Sequence, residues 1–215
     1  MNSNNIKENA ITIYNDSVKK FGAHTLASVH WDDEQKALYR YSLIGKHIPH
    51  DTNVSVLDIG CGNGGLLKHL NYSGFRGTYH GYDINTILID SAKKIYPAYS
   101  KCFTVADILN DPINETFDYV VLSGLFNSNY GQDYQWVCSF IEKMYSLTNK
   151  KVVFNAISTY TNFKEETMYY INPFEISDFI IKNLSNEIIL EHGQLPYNFQ
   201  IVINKDNAWK SLNTL

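Results

Sequence analysis

Along the first fifty residues the apolar positions fall at helical spacing. Ile6, Ala10, Ile13, Tyr14, Val18 and Phe21 make one stripe, and Gly22 can stop that helix. A second helix is predicted from Asp32, with Gln35 three residues on as its capping-box partner. Leu38, Tyr41, Ile44 and Ile48 supply its apolar face, and Pro49 followed by "HDTN" breaks the pattern. From residue 54 the period changes. "VSVLDI" is short, apolar and β-branched, as a buried strand is. A helix with Leu66, Leu67 and Leu70 follows, closing near Gly74, and "GTYHGYDI" is a second strand. Asn85 can cap a helix bearing Leu88, Ile89, Ala92 and Ile95 that Pro97 stops. "CFTVAD" and "FDYVVLSG" are the third and fourth strands, a helix covers 133–147, and "KKVVFNAI" is the fifth strand. "NPFE" at 172–175 starts another helix: Asn cap, Pro first, Glu third. Residues 186–192 and "FQIVIN" are the last two strands.

Strands alternating with helices imply an α/β fold with a doubly wound, mostly parallel sheet of seven strands. The last two strands have no helix between them and should form an antiparallel hairpin at the edge. We divide the chain into an N-terminal helical lid, residues 1–50, and a ligand-binding domain, residues 51–215.

Composition agrees with one globular domain. The 215 residues are 44% apolar and 14% aromatic, with a net charge of −4. That balance argues against a general nucleic-acid binder. Cys61, Cys102 and Cys138 form no C-x-x-C pair and no even set. The N-terminus lacks the apolar core of a secretion signal, and no apolar run has the roughly 20 residues that span a bilayer. A soluble, cytoplasmic protein is expected. The sequence suggests no metal site and does not reveal the oligomeric state.

The chemistry is concentrated in "VLDIGCGNGG", residues 56–65. Gly60, Gly62 and Gly65 match the G-x-G-x-x-G turn of dinucleotide sites, a weak signal alone. In such sites the turn and helix N-terminus face a pyrophosphate. Asp58, just below the turn, would oppose that anion. S-adenosylmethionine has no phosphate and carries an ammonium and a sulfonium, which Asp58 favours directly or through water. Asp83 ends the second strand, where a carboxylate can accept from ribose hydroxyls. Asp107 ends the third and can accept from the adenine amine, with Ile84 and Ile108 flanking the ring. Three acids thus converge at the carboxyl ends of neighbouring strands, where open α/β sheets bind ligands.

"VLDIGCGNGG", "YDIN", "ADI" and "FDYVVLSGLFN", in this order and spacing, resemble class I S-adenosylmethionine-dependent methyltransferases. The "SG-x-FN" segment and "PY-x-F" hairpin look like those of a small bacterial group. The likeness covers roughly residues 52–204. It implies cofactor contacts at Asp58, Gly60, Gly62, Asn63, Asp83 and Asp107, with Ser123 and Gly124 beside the methyl group. An alternative is a non-catalytic cofactor-binding or partner module; a nicotinamide oxidoreductase is a third reading.

The segment after the fourth strand reads Ser123-Gly124-Leu125-Phe126, without the Asn/Asp-Pro-Pro-aromatic motif of nucleic-acid amino methyltransferases, and no Pro-Cys nucleophile occurs there. A small-molecule acceptor, methylated on oxygen or nitrogen, is therefore expected, and nucleic acid is not. Arg40 can pair with the cofactor's carboxylate. His24 and His30, in the linker between the lid helices, are candidate bases. Trp31, Asn127, Asn155 and Tyr160 are candidate acceptor contacts.

Overall fold

The computed structural model describes residues 3–31 and 33–205. The first helix, α1, is Ser3–Phe21, and Gly22 ends it in the left-handed region with its N–H on the Val18 carbonyl. A short 3-10 turn, Leu26–Val29, leads to α2, Glu34–Gly45. The cap of α2 is Asp33, whose carboxylate accepts from the N–H groups of Gln35 and Lys36. The expected start at Asp32 lies outside the described residues. Ala37, Arg40, Tyr41, Ile44 and Gly45 are the buried positions of α2, whereas Leu38 is exposed, as Phe21 is on α1.

Seven strands follow: β1 Ser55–Ile59, β2 Thr78–Asp83, β3 Phe103–Val105, β4 Phe117–Leu122, β5 Thr148–Ile157, β6 Ile188–His192 and β7 Asn198–Asn204. Between them lie α3 Gly65–Tyr72, α4 Thr86–Ile95, α5 Tyr134–Leu147 and α6 Pro173–Asn183. Caps predicted at Asn85 and Asn172 are present, each side chain accepting two backbone N–H bonds at the helix start. Only the third strand is much shorter than its apolar run suggested.

The sheet order is β3-β2-β1-β4-β5-β7-β6. The first five of these strands are parallel; β7 is antiparallel to both β5 and β6. The hairpin therefore folds back, placing β7 inside and β6 at the edge. Alternation along each strand divides the core between two faces. Leu57, Ile59, Val120 and Leu122 pack under α5 and α6; Val56, Val121, Val153 and Val202 pack under α2, α3 and α4. The order reverses between β1 and β4, which opens a crevice at their carboxyl ends.

Gly77, just before β2, allows that strand to start close against β1. A Cβ there would lie 2.2 Å from the Val54 carbonyl oxygen, which accepts the Thr78 N–H. Gly77→Ala should lower stability by about 1–3 kcal/mol, read as a lower urea midpoint with an unchanged slope.

Candidate active site

The crevice is built from strand ends. After β1 the chain turns sharply, and the Tyr82 carbonyl at the end of β2 accepts the N–H groups of Gly60 and Cys61. Asp83 continues this clasp. One carboxylate oxygen accepts the Gly62 N–H at 2.9 Å, the other the Asn85 N–H at 2.8 Å. Gly62 and Gly64 have φ of 53° and 89°, and a Cβ at Gly64 would lie 2.7 Å from the Tyr96 ring. Burial pushes the Asp83 carboxyl up, opposed by backbone N–H groups of Asn85, Gly62 and Ile84.

Above this turn lies a cavity of about 330 Å³. It is within the size range of small-ligand sites. Gly60, Gly62, Asp83, Ile84, Asp107 and Ile108 line one part of it; Ser123, Gly124, Asn127, His30, Trp31 and Arg40 line another. These twelve expected residues thus meet in one place. Lys7, Ala10 and Tyr14 of α1 form part of the cover.

Arg40 is 8% exposed, and its Nε and Nη1 are buried with no hydrogen-bond partner. Its guanidinium lies 4.5 Å from the Trp31 ring centroid. Burial pushes its pKa down to about 10, offset in part by Tyr41, so it stays charged at neutral pH. A buried cation with unused donors calls for an anion. A carboxylate such as that of the cofactor's methionine part fits this demand bidentately.

Asp107 is engaged within the protein. It accepts from the Leu109 N–H and the Asn110 amide, and pairs with Lys7 of α1 at 3.1 Å. Burial pushes its carboxyl up, but Asn110, Lys7 and Leu109 outweigh this and hold it below the usual range. Any bond to an adenine amine shares the carboxylate with these partners.

Five expected site residues do not line the cavity. Asp58 lies beneath it, 2% exposed, accepting from the Tyr79 hydroxyl at 2.7 Å. Asn63 donates to the carbonyls of Ala23 and Thr25, tying the lid linker to the glycine turn. Asn155 stands behind the turn after β4, accepting the Gly124 N–H and donating to the Ser123 hydroxyl. Tyr160 is 56% exposed and packs edge-on against Phe174 and His192. His24 is held by Ser91 at 2.7 Å, and Ser91 donates to the Ala23 carbonyl. Of the two histidines, only His30 reaches the cavity. The linker's path decides this, and residue spacing does not encode that path.

Residues that spacing did not single out also contribute. Tyr14 lines the cavity, stacked on His30 with centroids 4.8 Å apart, its hydroxyl 3.2 Å from that of Tyr130. On the α1 stripe Tyr14 reads as one more packing residue. Strand alternation could have found Tyr79, because Val56 pairs with Tyr79 and Asp58 shares that face.

The family model described as a methyltransferase domain matches residues 50–198. The chain belongs to this methyltransferase family. A Mycobacterium tuberculosis protein named as a methyltransferase is 29% identical over 159 residues, 70% of this chain and 93% of that one. Magnesium protoporphyrin IX methyltransferase of Synechocystis PCC 6803, solved with bound S-adenosylmethionine, superposes with a TM-score of 0.64 at 17% identity, covering 91% of this chain and 97% of that chain. The small RNA methyltransferase HEN1 superposes with a TM-score of 0.63 at 17% identity, covering 79% of this chain and 25% of that chain. These likenesses in structure are likenesses of fold. The enzyme is an S-adenosylmethionine-dependent methyltransferase with the class I fold. Among the described residues no cluster of His, Cys, Asp and Glu could hold a metal, and no helix is long and apolar enough to cross a membrane.

Asp58 should make the stability of the ligand-free fold depend on pH. Burial, helped by Asp83 and opposed by Tyr79, pushes its carboxyl up to about 7. A raised acid stabilises the fold in its protonated form, and that contribution is lost as pH rises toward 7. Between pH 5 and 7 the wild type should therefore lose on the order of 2 kcal/mol relative to Asp58→Asn. Urea denaturation of both proteins across that range measures the difference.

Proposed function

We propose that this enzyme methylates an oxygen or nitrogen of a small molecule. The helix over the cavity carries this reading. The α1 helix crosses the crevice and is tied down at several turns: Lys7 to Asp107, Asn9 to the Tyr130 carbonyl at 3.0 Å, and Asn15 to Asn85 at 2.9 Å. An acceptor must fit under this helix beside Gly124, the turn where the fourth strand ends. A nucleic acid would need a cationic track for its phosphates. The lysines and arginine on the cavity wall are Lys7, Lys36 and Arg40, and Lys7 is already paired with Asp107.

When bound, S-adenosylmethionine supplies a methyl group activated by its positive sulfur. The protein's part is to hold the nucleophile close and in line. Arg40 anchors the carboxylate end of the cofactor, and Asp83 accepts from the ribose. Asp58, partly protonated near pH 7 in the protein alone, ionises more readily beneath a bound cation. Asn127 presents a buried Oδ1 with no partner, an acceptor awaiting a donor on the small molecule. Such an atom suits an acceptor molecule bearing O–H or N–H.

Calorimetry with S-adenosylhomocysteine tests the site. Asp83→Ala should weaken binding at least roughly tenfold, and Arg40→Leu by a similar factor. Unchanged affinity in both would overturn the placement of the cofactor.

A further inference from the structure

We propose that Tyr79 is a positioning residue that holds Asp58 beneath the cavity as a carboxylate, and that this buried charge sets how tightly the enzyme takes its cationic ligand as pH changes. The inference rests on the placement of the cofactor proposed above.

The strand register brings the two groups together. On β1 and β2, Asp58 stands beside Gly81, and Val56 stands beside Tyr79. Residues two apart on a strand share a face, so Tyr79 lies on the same face as Asp58. A Cβ on Gly81 would lie 2.9 Å from the Phe103 ring and 3.0 Å from the Cys61 sulfur. The position directly beside Asp58 thus has no room for a side chain, and its partner comes from the diagonal neighbour. The Tyr79 hydroxyl donates to Asp58 Oδ2 at 2.7 Å. Among the described residues this is the one hydrogen bond to that carboxylate. Both residues are 2% exposed, and Phe103 braces the Tyr79 ring edge-on with centroids 5.9 Å apart.

Burial pushes the Asp58 carboxyl up, Tyr79 pulls it back and Asp83 adds to the rise, which leaves it at about 7. A hydroxyl that donates to a carboxylate favours the charged form. Without the Tyr79 hydroxyl, Asp58 would sit higher and be mostly neutral at pH 7. The other titratable groups facing it are Asp83 at the end of β2, Cys61 in the turn after β1 and Tyr41 of α2. Burial raises Cys61, Tyr41 and Tyr79, and Asp58 adds to the rise in each, so all three are neutral near pH 7. Arg40, next along α2, opposes that rise at Tyr41. Cys61 and Tyr41 line the cavity, so the field of Asp58 reaches the cavity wall.

S-adenosylmethionine brings an ammonium and a sulfonium, and S-adenosylhomocysteine the ammonium alone. A cation above Asp58 favours its charged form, and by linkage the charged form favours the cation. Affinity therefore rises as pH climbs through the titration of Asp58 and levels off above it. Tyr79, by lowering that titration, places the rise near neutral pH.

Carbon-13 NMR of the full chain labelled at its aspartate carboxyls follows Asp58, whose signal Asp58→Asn assigns. Tyr79→Phe keeps the ring against Phe103 and should move the Asp58 midpoint up by at least about half a pH unit. S-adenosylhomocysteine should move the wild-type midpoint down. By calorimetry, wild-type affinity for S-adenosylhomocysteine should rise at least roughly threefold from pH 6 to pH 8, and Asp58→Asn should lose that rise. Tyr79→Phe should bind at least roughly twofold more weakly at pH 7, with the gap narrowing toward pH 8.5. A loss of equal size at every pH would show a merely structural role and overturn the proposal. An Asp58 midpoint unmoved by Tyr79→Phe, or unmoved by ligand in the wild type, would overturn it as well. The wild-type and Asp58→Asn measurements decide the matter even where Tyr79→Phe fails to fold. If Asp83→Ala and Arg40→Leu still weaken S-adenosylhomocysteine binding in those cases, the cofactor site stands and this inference alone falls.

Discussion

A buried carboxylate at the tip of β2 holds the rest of the site in place. Asp83 grips the glycine turn through the Gly62 N–H and starts the next helix through the Asn85 N–H. Backbone N–H groups in a tight turn cannot bond to one another, so something nearby must accept them. Asp83 and the Tyr82 carbonyl do so, and the turn stays open above them. The same carboxylate faces the cavity. A single residue thus shapes the cradle and presents charge to what lies in it.

Around that clasp the protein accumulates polar groups that its own fold leaves incompletely paired. Arg40 keeps two buried donors unused, Asn127 keeps an acceptor unused, and Asp58 has Tyr79 as its hydrogen-bond donor deep under the floor. Each costs stability in the isolated chain. The cavity wall carries both signs: the Arg40 guanidinium, and Asp83 and Asp107 at and just beyond strand ends.

The lid is part of the same design. Asn63, within the glycine turn, holds the carbonyls of the linker between α1 and α2, and Val29 of that linker lies where a Cβ on Gly62 would be, 2.8 Å away. The contact lets α1 reach across the crevice to Asp107 and Tyr130. The lid and the glycine turn are therefore joined through the linker's contact with Asn63 and Gly62.

Period and punctuation along the chain determined the elements, the parallel sheet, the closing hairpin and the convergence of Asp83 and Asp107 on one crevice. Those features depend on local spacing and on where a strand must end. The caps at Asn85 and Asn172 were legible for the same reason. The tertiary structure decided which polar side chains face inward. Asp58 and Asn155 sit in the right segments, yet they support the site from behind. His24 is turned to Ser91 while His30, six residues on, reaches the cavity. Tyr14 looked like core and proved to be wall. A residue's periodicity says that one side of it is buried, and only the packing of the lid on the sheet says whether that side meets protein or ligand.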